Sequence, residues 1–131
     1  MKIKSKAKYI DRTLIKHHFK IILCKTEKDF YLELTIHRVP LKDYPEWLTE
    51  NAYANTHTIL IPKKNKTTKK LAIVCIKPKD KDYISHLIHE AVHIWWREVE
   101  YIQEANPSEE VEAYSIEAIA SNLIKAYKGT K

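Results

Sequence analysis

The segment His89-Glu90-Ala91-Val92-His93 carries the clearest chemistry in this sequence. Residues four apart lie one above the other on one face of an α-helix, so His89 and His93 could bind one metal ion. Zinc accepts imidazole nitrogens, and Glu90, offset around the helix, would take a proton from a metal-bound water as general base. The spacing predicts a hydrolytic site with one Zn²⁺ per chain. The alternative is two surface histidines and a solvated glutamate that share this spacing by coincidence.

The residues around this segment predict one helix from about Asp82 to about Gln103. Asp80 and Asp82 are both suitable N-caps. Apolar residues recur at helical spacing and form one stripe, which leaves the histidines and the glutamate on an adjoining face. The members of the stripe are Ile84, Ile88, Ala91, Val92, Trp95, Val99 and Ile102.

A second helix is predicted from Asn106-Pro107-Ser108-Glu109 to about Tyr127. Asparagine is a favoured N-cap, proline is preferred at the first helical position, and Glu109 falls where a capping-box side chain reaches back. The predicted apolar stripe of this helix consists of Ala113, Ile116, Ala120, Leu123, Ile124 and Tyr127.

A catalytic zinc site needs three protein ligands and one open position, and two histidines with one glutamate form a known set. The third ligand is therefore expected to be Glu109, Glu110 or Glu112. Glu109 has a structural role at the helix cap, and Glu112 lies on the flank that we expect to face solvent. Glu110 lies beside Ala113, whose small side chain would let the two helices approach, so Glu110 is favoured.

The two segments together resemble the gluzincin metallopeptidases, which are thermolysin-like enzymes and their minimal single-domain relatives. The likeness rests on His89–His93 followed by Glu110-Val111-Glu112-Ala113-Tyr114, and it covers about residues 82–128. It implies that Glu110 is the third zinc ligand and that Ala113 is the small residue which often follows it. Tyr114 departs from the Asp or Asn that often orients a metal histidine. The chain also resembles short phage- and prophage-encoded proteins with the same His-Glu-x-x-His motif.

Other side chains near the motif are candidates for the cleft. His86 lies one turn before His89; we expect it at the rim, and lining the cleft, donating to a substrate carbonyl or replacing a ligand are alternatives. Trp96 lies close to the ligand face and could floor a substrate pocket. Tyr83 and Tyr114 could donate to a tetrahedral oxyanion. Three other histidines, His17, His18 and His37, are predicted to be surface or strand residues.

The first eighty residues predict strands with few helical segments. We expect Phe30–His37, which alternates polar and apolar residues, to form a hairpin with the preceding strand. The predicted elements are a short helix at Arg12–His17, strands at Phe19–Cys24 and Phe30–His37, a loop with one helical turn at Pro40–Asn55, and paired strands at His57–Ile61 and Leu71–Ile76.

Strands followed by helices predict an α+β fold in which a small, mostly antiparallel sheet packs on the motif helix and the C-terminal helix. The gluzincin resemblance implies a zincin-like arrangement of these elements. In such folds a strand beside the cleft accepts an extended peptide by edge pairing, and the polar Thr56-His57-Thr58 run makes residues 56–61 the candidate.

A length of 131 residues predicts a single domain, residues 1–131. Cys24 and Cys75 both lie in apolar runs and are interpreted as buried free thiols of a reducing cytoplasm, with one disulfide as the alternative. The sequence lacks an apolar run of transmembrane length and a signal-peptide core, so we expect a soluble cytoplasmic protein, in the host cytoplasm if it is phage-encoded. A monomer is the default expectation.

Charge is unevenly distributed along the chain. Residues 1–81 carry a balance of +11 and residues 82–131 a balance of −5, which together give the net +6. A basic tip formed by Lys63, Lys64, Lys66, Lys69 and Lys70 is either a solvated hairpin end or a docking patch for an acidic partner. Aromatic residues do not interleave these lysines, so tight nucleic-acid binding is not expected.

These observations favour a zinc-dependent metallopeptidase that acts on a peptide or protein substrate, with Glu90 as general base. The second hypothesis is a non-catalytic zinc-containing protein that binds a host or phage partner. The third and weakest is a basic nucleic-acid-associated factor. Fold likeness alone does not separate them, because function resides in the site.

Overall fold

The computed structural model describes residues 4–10, 19–64, 67–102 and 109–129, without the side chains of Tyr101, Ile102 and Glu110. These residues form an α+β fold with four strands, three α-helices and one 3-10 turn. In chain order they are β1 (Lys8–Tyr9), β2 (Lys20–Cys24), α1 (Glu27–Ile36), the 3-10 turn (Leu41–Asp43), β3 (Ala54–Pro62), β4 (Thr68–Ile76), α2 (Tyr83–Ile102) and α3 (Glu109–Lys128).

The four strands form one mixed sheet in the order β1-β2-β4-β3. The pairings β1–β2 and β3–β4 are antiparallel, whereas β2 and β4 run parallel, with Lys20 opposite Leu71 and Cys24 opposite Cys75. The expectation of a small and mostly antiparallel sheet is thus confirmed in outline. The nine-residue strand β3 lies at one edge of this sheet.

Both faces of the sheet are covered, which explains why β2 and β4 are apolar at successive positions. Side chains of one face pack against α2 and α3, and those of the other face pack against α1. The first core contains Phe19, Ile21, Leu23, Ala72, Val74, Ile76, Leu87, Ala91, Ile94, Trp95, Ile119, Ala120 and Leu123. The second contains Ile22, Cys24, Phe30, Leu34, Val39, Leu71, Ile73 and Cys75.

The predicted strand Phe30–His37 was wrong, because this segment belongs to helix α1. Thr26 caps the helix: its Oγ1 accepts from the Asp29 N–H at 3.1 Å and donates to Asp29 Oδ2 at 2.9 Å. Phe30 and Leu34, four residues apart, are both fully buried against the sheet. The connection between the two strands of the predicted hairpin is therefore a helix start at Thr26–Asp29, and the polar-apolar alternation after it was a coincidence of composition.

Helix α2 confirms the predicted helix, but its apolar stripe is rotated from the predicted one. Ile84 and Ile88 are 49% and 44% exposed, whereas Leu87 and Ile94 are fully buried. The apolar residues of α2 occupy two overlapping faces of the helix. Only the face that includes Leu87 packs against the sheet, whereas the face that includes Ile84 and Ile88 does not. Ala91 and Trp95 belong to the buried face, as predicted.

Helix α3 follows the predicted stripe except at its beginning. Ala120 and Leu123 are buried and Ile116 packs beside them, while Ile119, absent from the predicted stripe, is also buried. Ala113 is exposed, so the idea that this small residue lets the helices approach was wrong. The predicted cap at Asn106-Pro107 and the predicted helix at Arg12–His17 lie outside the described residues.

Four further elements agree with the sequence predictions, whereas strand β1 was not predicted. Strand β2 matches Phe19–Cys24, β3 and β4 match the predicted pair, and the 3-10 turn supplies the helical turn expected in Pro40–Asn55. Within the described residues, none of the helices combines the length and the apolarity needed to cross a lipid bilayer.

Cys24 and Cys75 are buried free thiols, as predicted, and they face each other across β2 and β4. Burial raises the pKa of the Cys24 thiol to about 12, and burial likewise raises the pKa of Cys75. Because the thiolate is the reactive form, both sulfurs are expected to react slowly with alkylating reagents in the native state.

The rotation of α2 can be tested with two neighbouring residues. Leu87→Ala should lower the free energy of unfolding by about 2–5 kcal/mol, because it leaves a cavity in the core. Ile88→Ala, at a half-exposed position of the same helix, should cost less than about 1 kcal/mol. Urea unfolding followed by circular dichroism measures both, and a larger loss for Ile88→Ala would contradict the packing described here.

Candidate functional site

His89 and His93 lie on the exposed side of α2, and their rings converge. The two Nε2 atoms are 3.0 Å apart, and the ring centroids are 4.7 Å apart at an interplanar angle of 75°. Two nitrogens that each lie about 2.0–2.1 Å from a tetrahedral zinc are about 3.3 Å apart. The observed separation of 3.0 Å is about 0.3 Å shorter than this donor spacing.

Glu90 lies beside this pair but is only 5% exposed. Its Oε1 accepts a hydrogen bond of 2.8 Å from Thr56 Oγ1 in the edge strand β3. The helix thus presents the two imidazoles to solvent, while the carboxylate between them in sequence is held against the sheet. A buried carboxylate with a fixed donor keeps one orientation, as a general base requires.

A cleft of about 240 Å³ separates α2 from β3 at this point. Helix α2 contributes His89, Glu90, His93 and Arg97, and β3 contributes Ala54, Asn55, Thr56 and Thr58. All three motif residues therefore face one common space with the edge strand as its opposite wall.

Arg97 and Asn55 were not among the predicted site residues. Arg97 lies four residues beyond His93, so the i, i+4 spacing that identified the histidines could also have identified it. Asn55 also lines the cleft, and its Oδ1 is buried without a hydrogen-bond partner in the described structure, which sequence alone does not reveal. The exposed Arg97 guanidinium donates to Glu100 Oε1 at 3.3 Å and adds a positive charge to the cleft wall.

Trp96 lies beside His93 and is absent from the described lining of the cleft. Its ring meets His93 edge-on, with centroids 5.6 Å apart, and the residue is 55% exposed. Its suggested role as the floor of a substrate pocket stays a prediction.

His86 occupies a separate polar cluster. Its Nδ1 lies 2.5 Å from Asp80 Oδ2, and its ring stacks on Tyr53 with centroids 5.5 Å apart. Asp80 also accepts from the Asp82 N–H at 2.9 Å, immediately before α2 begins. His86 is therefore committed to the start of this helix and is absent from the described lining of the cleft.

The two predicted tyrosines lie apart from the motif residues. Tyr83 stacks on Tyr127 of α3, with ring centroids 4.7 Å apart, and Tyr114 is 58% exposed on α3. Neither belongs to the described residues that line the cleft. The oxyanion role suggested for them has no geometric support in the described contacts.

The third zinc ligand stays a prediction. Glu109 is exposed and Glu112 is partly buried at the start of α3, while the side chain of Glu110 lies outside the described residues. Among the described side chains, no third His, Cys, Asp or Glu joins the imidazole pair. Helix α3 packs against α2, and Tyr127 near its end stacks on Tyr83 at the start of α2.

A longer groove continues from the cleft along β3. It has a volume of about 680 Å³ and is lined by each of the residues Thr56 to Pro62, together with Arg38, Val39, Pro40, Lys42, Asp43 and Pro45. Because successive residues of a strand point to opposite faces, a groove that touches all seven follows the strand's edge. The predicted edge segment 56–61 is therefore confirmed as part of an edge strand.

No protein-family model, no curated protein and no solved structure matches this chain significantly.

The link between Thr56 and Glu90 makes a testable prediction. Thr56→Val keeps the side-chain shape but removes the donor to a buried carboxylate, so the free energy of unfolding should fall by about 1–3 kcal/mol. Thr58→Val, exposed two residues along the same face of β3, should change stability by less than about 0.5 kcal/mol. Equal effects of the two substitutions in chemical denaturation would contradict the role assigned to the hydrogen bond.

Proposed function

We propose that this protein is a zinc-dependent metallopeptidase of minimal gluzincin type. The observation that carries the proposal is the convergence of His89 and His93, with their Nε2 atoms 3.0 Å apart, beside a buried Glu90, in a cleft bounded by an edge strand. Each part serves peptide hydrolysis: donors for the metal, a base for water, and a backbone edge for the substrate.

His89 and His93 are the proposed histidine ligands, and Glu110 is the proposed third ligand. Zinc bound there would polarise the scissile carbonyl and bring the pKa of a water molecule toward neutrality. Their two imidazoles face the cleft rather than the core, so a substrate can reach them directly.

Glu90 is the proposed general base. Its carboxylate takes a proton from the attacking water and later delivers it to the amine that leaves the cleaved peptide bond. Thr56 orients the carboxylate through Oε1, which limits the rotation that would otherwise misdirect the proton. The same strand that orients the base would bind the substrate, so β3 couples the position of the peptide to the position of Glu90.

The edge of β3 is the proposed substrate surface. An edge strand presents unpaired backbone N–H and C=O groups to an extended peptide. Arg97 is placed to donate to a substrate carbonyl at the α2 end of this surface.

Metal content and peptidase activity together test the proposal. Wild type and Glu90→Gln should each hold about one zinc per chain, and Glu90→Gln should cleave peptides about 10²–10⁴-fold more slowly because only the base is lost. His89→Ala and His93→Ala should lose zinc. Elemental analysis and mass spectrometry of a digested peptide library measure these results.

His86→Ala is the matched control, since His86 lies on the same helix but contacts Asp80 and Tyr53. It should keep both zinc and activity. Full zinc retention in a His89→Ala/His93→Ala double variant would rule out the metal site.

A non-catalytic interaction protein is the competing function, and the groove along β3 favours it independently of chemistry. Such a groove could grip an extended partner without cleaving it. Wild-type protein with full zinc and a folded structure that cleaves no peptide in an unbiased library would support this alternative. Unchanged partner binding by Glu90→Gln would then show that this function does not need the base.

The third ligand has its own test. Glu110→Ala should weaken zinc binding by more than about 100-fold, since even the outer hydrogen-bond partners of metal ligands contribute about 10–100-fold. Glu109→Ala should cost about 1 kcal/mol of helix capping and keep the metal. Glu112→Ala should be nearly silent. Competition with a zinc chelator measures all three, and metal loss in Glu109→Ala or Glu112→Ala alone would reassign the ligand.

A further inference from the structure

A basic cavity lies at the far end of β3 from the histidine pair. It has a volume of about 510 Å³ and is lined by Ile36, His37, Arg38, Ile61, Pro62, Lys63, Lys64 and Lys69. Acidic residues are absent from the described lining. Among the described residues, the contacts at salt-bridge distance are His37–Glu33, His86–Asp80 and Arg97–Glu100, and none of them includes Arg38, Lys63 or Lys64.

Lys69 is held in place by a chain of hydrogen bonds that runs into the protein. Its ammonium donates to His37 Nδ1, so Nε2 carries the ring proton and donates to the Tyr9 oxygen at 3.0 Å. The Tyr9 hydroxyl in turn donates to the buried Glu33. The prediction that His37 is a surface or strand residue was wrong, because it ends α1 and is 7% exposed.

The described lining of this cavity carries positive charges and no negative one. Burial lowers the pKa of His37 to about 4, so the ring is neutral at physiological pH and does not add a cation. The pKa of Lys69 is lowered by burial and then by the charges of Lys20 and Lys63, against an opposing effect of Glu33. A bound anion would relieve this repulsion.

Arg38 contributes a cation from an unusual backbone position. It follows the C-cap of α1 with φ at 59°, in the left-handed region that favours glycine. Its side chain lines both the basic cavity and the groove along β3. A guanidinium at this junction can form paired hydrogen bonds with a carboxylate.

The cavity, the groove and the cleft form one path along β3. The basic cavity shares Arg38, Ile61 and Pro62 with the groove, and the groove shares Thr56 and Thr58 with the cleft that holds Glu90. The six residue steps from Thr56 to Pro62 correspond to about 20 Å of extended strand. A peptide paired with β3 would therefore reach from Glu90 to the basic cavity.

We propose that Arg38, Lys63, Lys64 and Lys69 bind acidic side chains of an extended peptide that lies along β3. Pro62, at the basic cavity, lies six residues beyond Thr56. The acidic residues of the peptide should therefore lie about six positions from the peptide residue that pairs opposite Thr56. Such a peptide would be the substrate of the proposed peptidase. The location of its scissile bond beside Glu90 rests on that proposed function.

The groove favours a peptide over a nucleic acid. Its walls include the apolar Val39, Pro40 and Ile59, and the described lining lacks a phenylalanine, tyrosine or tryptophan on which bases could stack. Asp43 lines the middle of the groove and disfavours acidic or phosphate groups there. The preference for acidic groups is thus confined to the end of the groove at the basic cavity. A nucleic acid, which is charged along its whole length, would not fit this pattern.

Binding to the Glu90→Gln protein tests the proposal without cleavage. Fluorescein-labelled twelve-residue peptides with three glutamates at either end are compared with glutamine counterparts by anisotropy. At least one glutamate peptide should bind about tenfold more tightly at low salt, and the difference should shrink as salt rises to about 0.15 M. Equal binding of glutamate and glutamine peptides, or no binding of either, would overturn the proposal.

Charge-matched variants assign the effect to this cavity. Arg38→Gln/Lys64→Gln should abolish the preference for glutamate, while Lys28→Gln/Lys125→Gln, which removes two exposed lysines elsewhere, should keep it. Equal losses in the two double variants would show a general charge effect and overturn the site. Tighter binding of a single-stranded RNA of equal charge, lost in Arg38→Gln/Lys64→Gln, would also overturn it in favour of nucleic acid.

The two proposals fail in different ways. A wild-type protein that cleaves peptides without preferring glutamate would leave the peptidase intact and refute the basic site. A glutamate preference in Glu90→Gln, combined with a zinc-loaded wild type that cleaves nothing, would keep the basic site and refute the peptidase.

Discussion

The rotation of α2 about its axis is the constraint on which the candidate site depends. Leu87, Ala91 and Ile94 face the sheet, and this fixes which side chains of the same helix point to the cleft. Two buried carboxylates secure that rotation. Glu90 accepts from Thr56 in β3, and Glu98 accepts from the Phe19 N–H at 2.8 Å, just before β2. Because such partners are costly to lose when buried, the helix is held between two strands of the sheet.

The face of the sheet that α1 covers determines the position of the groove along β3. Helix α1 covers the core of Phe30 and Leu34, and its end at His37 and Arg38 delivers the chain to the far side of the β3 groove. Strand β3 is therefore shared: Thr56 meets Glu90 on one side, while Ile59 and Ile61 pack on the α1 side. One edge strand thus connects the histidine pair with the basic cavity.

Local signals in the sequence predicted the motif helix, the β3–β4 pair and the position of His89 and His93, since each depends on spacing within one element. The segment Phe30–His37 was misread because the Thr26 cap outweighs a polar-apolar alternation, and the cover on both sheet faces is a tertiary property. The bond from Thr56 to Glu90 joins residues 34 apart, and no local pattern encodes it. Arg97 lies four residues after His93, so the same helical spacing also places it on the face of the two histidines.

The central claim is that His89 and His93 bind a zinc ion at the cleft, and X-ray absorption at the zinc edge tests it most directly. The account predicts two imidazole nitrogens at about 2.0–2.1 Å, together with oxygen ligands, in a four-coordinate site. A His89→Ala/His93→Ala protein should give no specific zinc spectrum. A wild-type spectrum without imidazole scattering, or an unchanged spectrum in the double variant, would contradict the account.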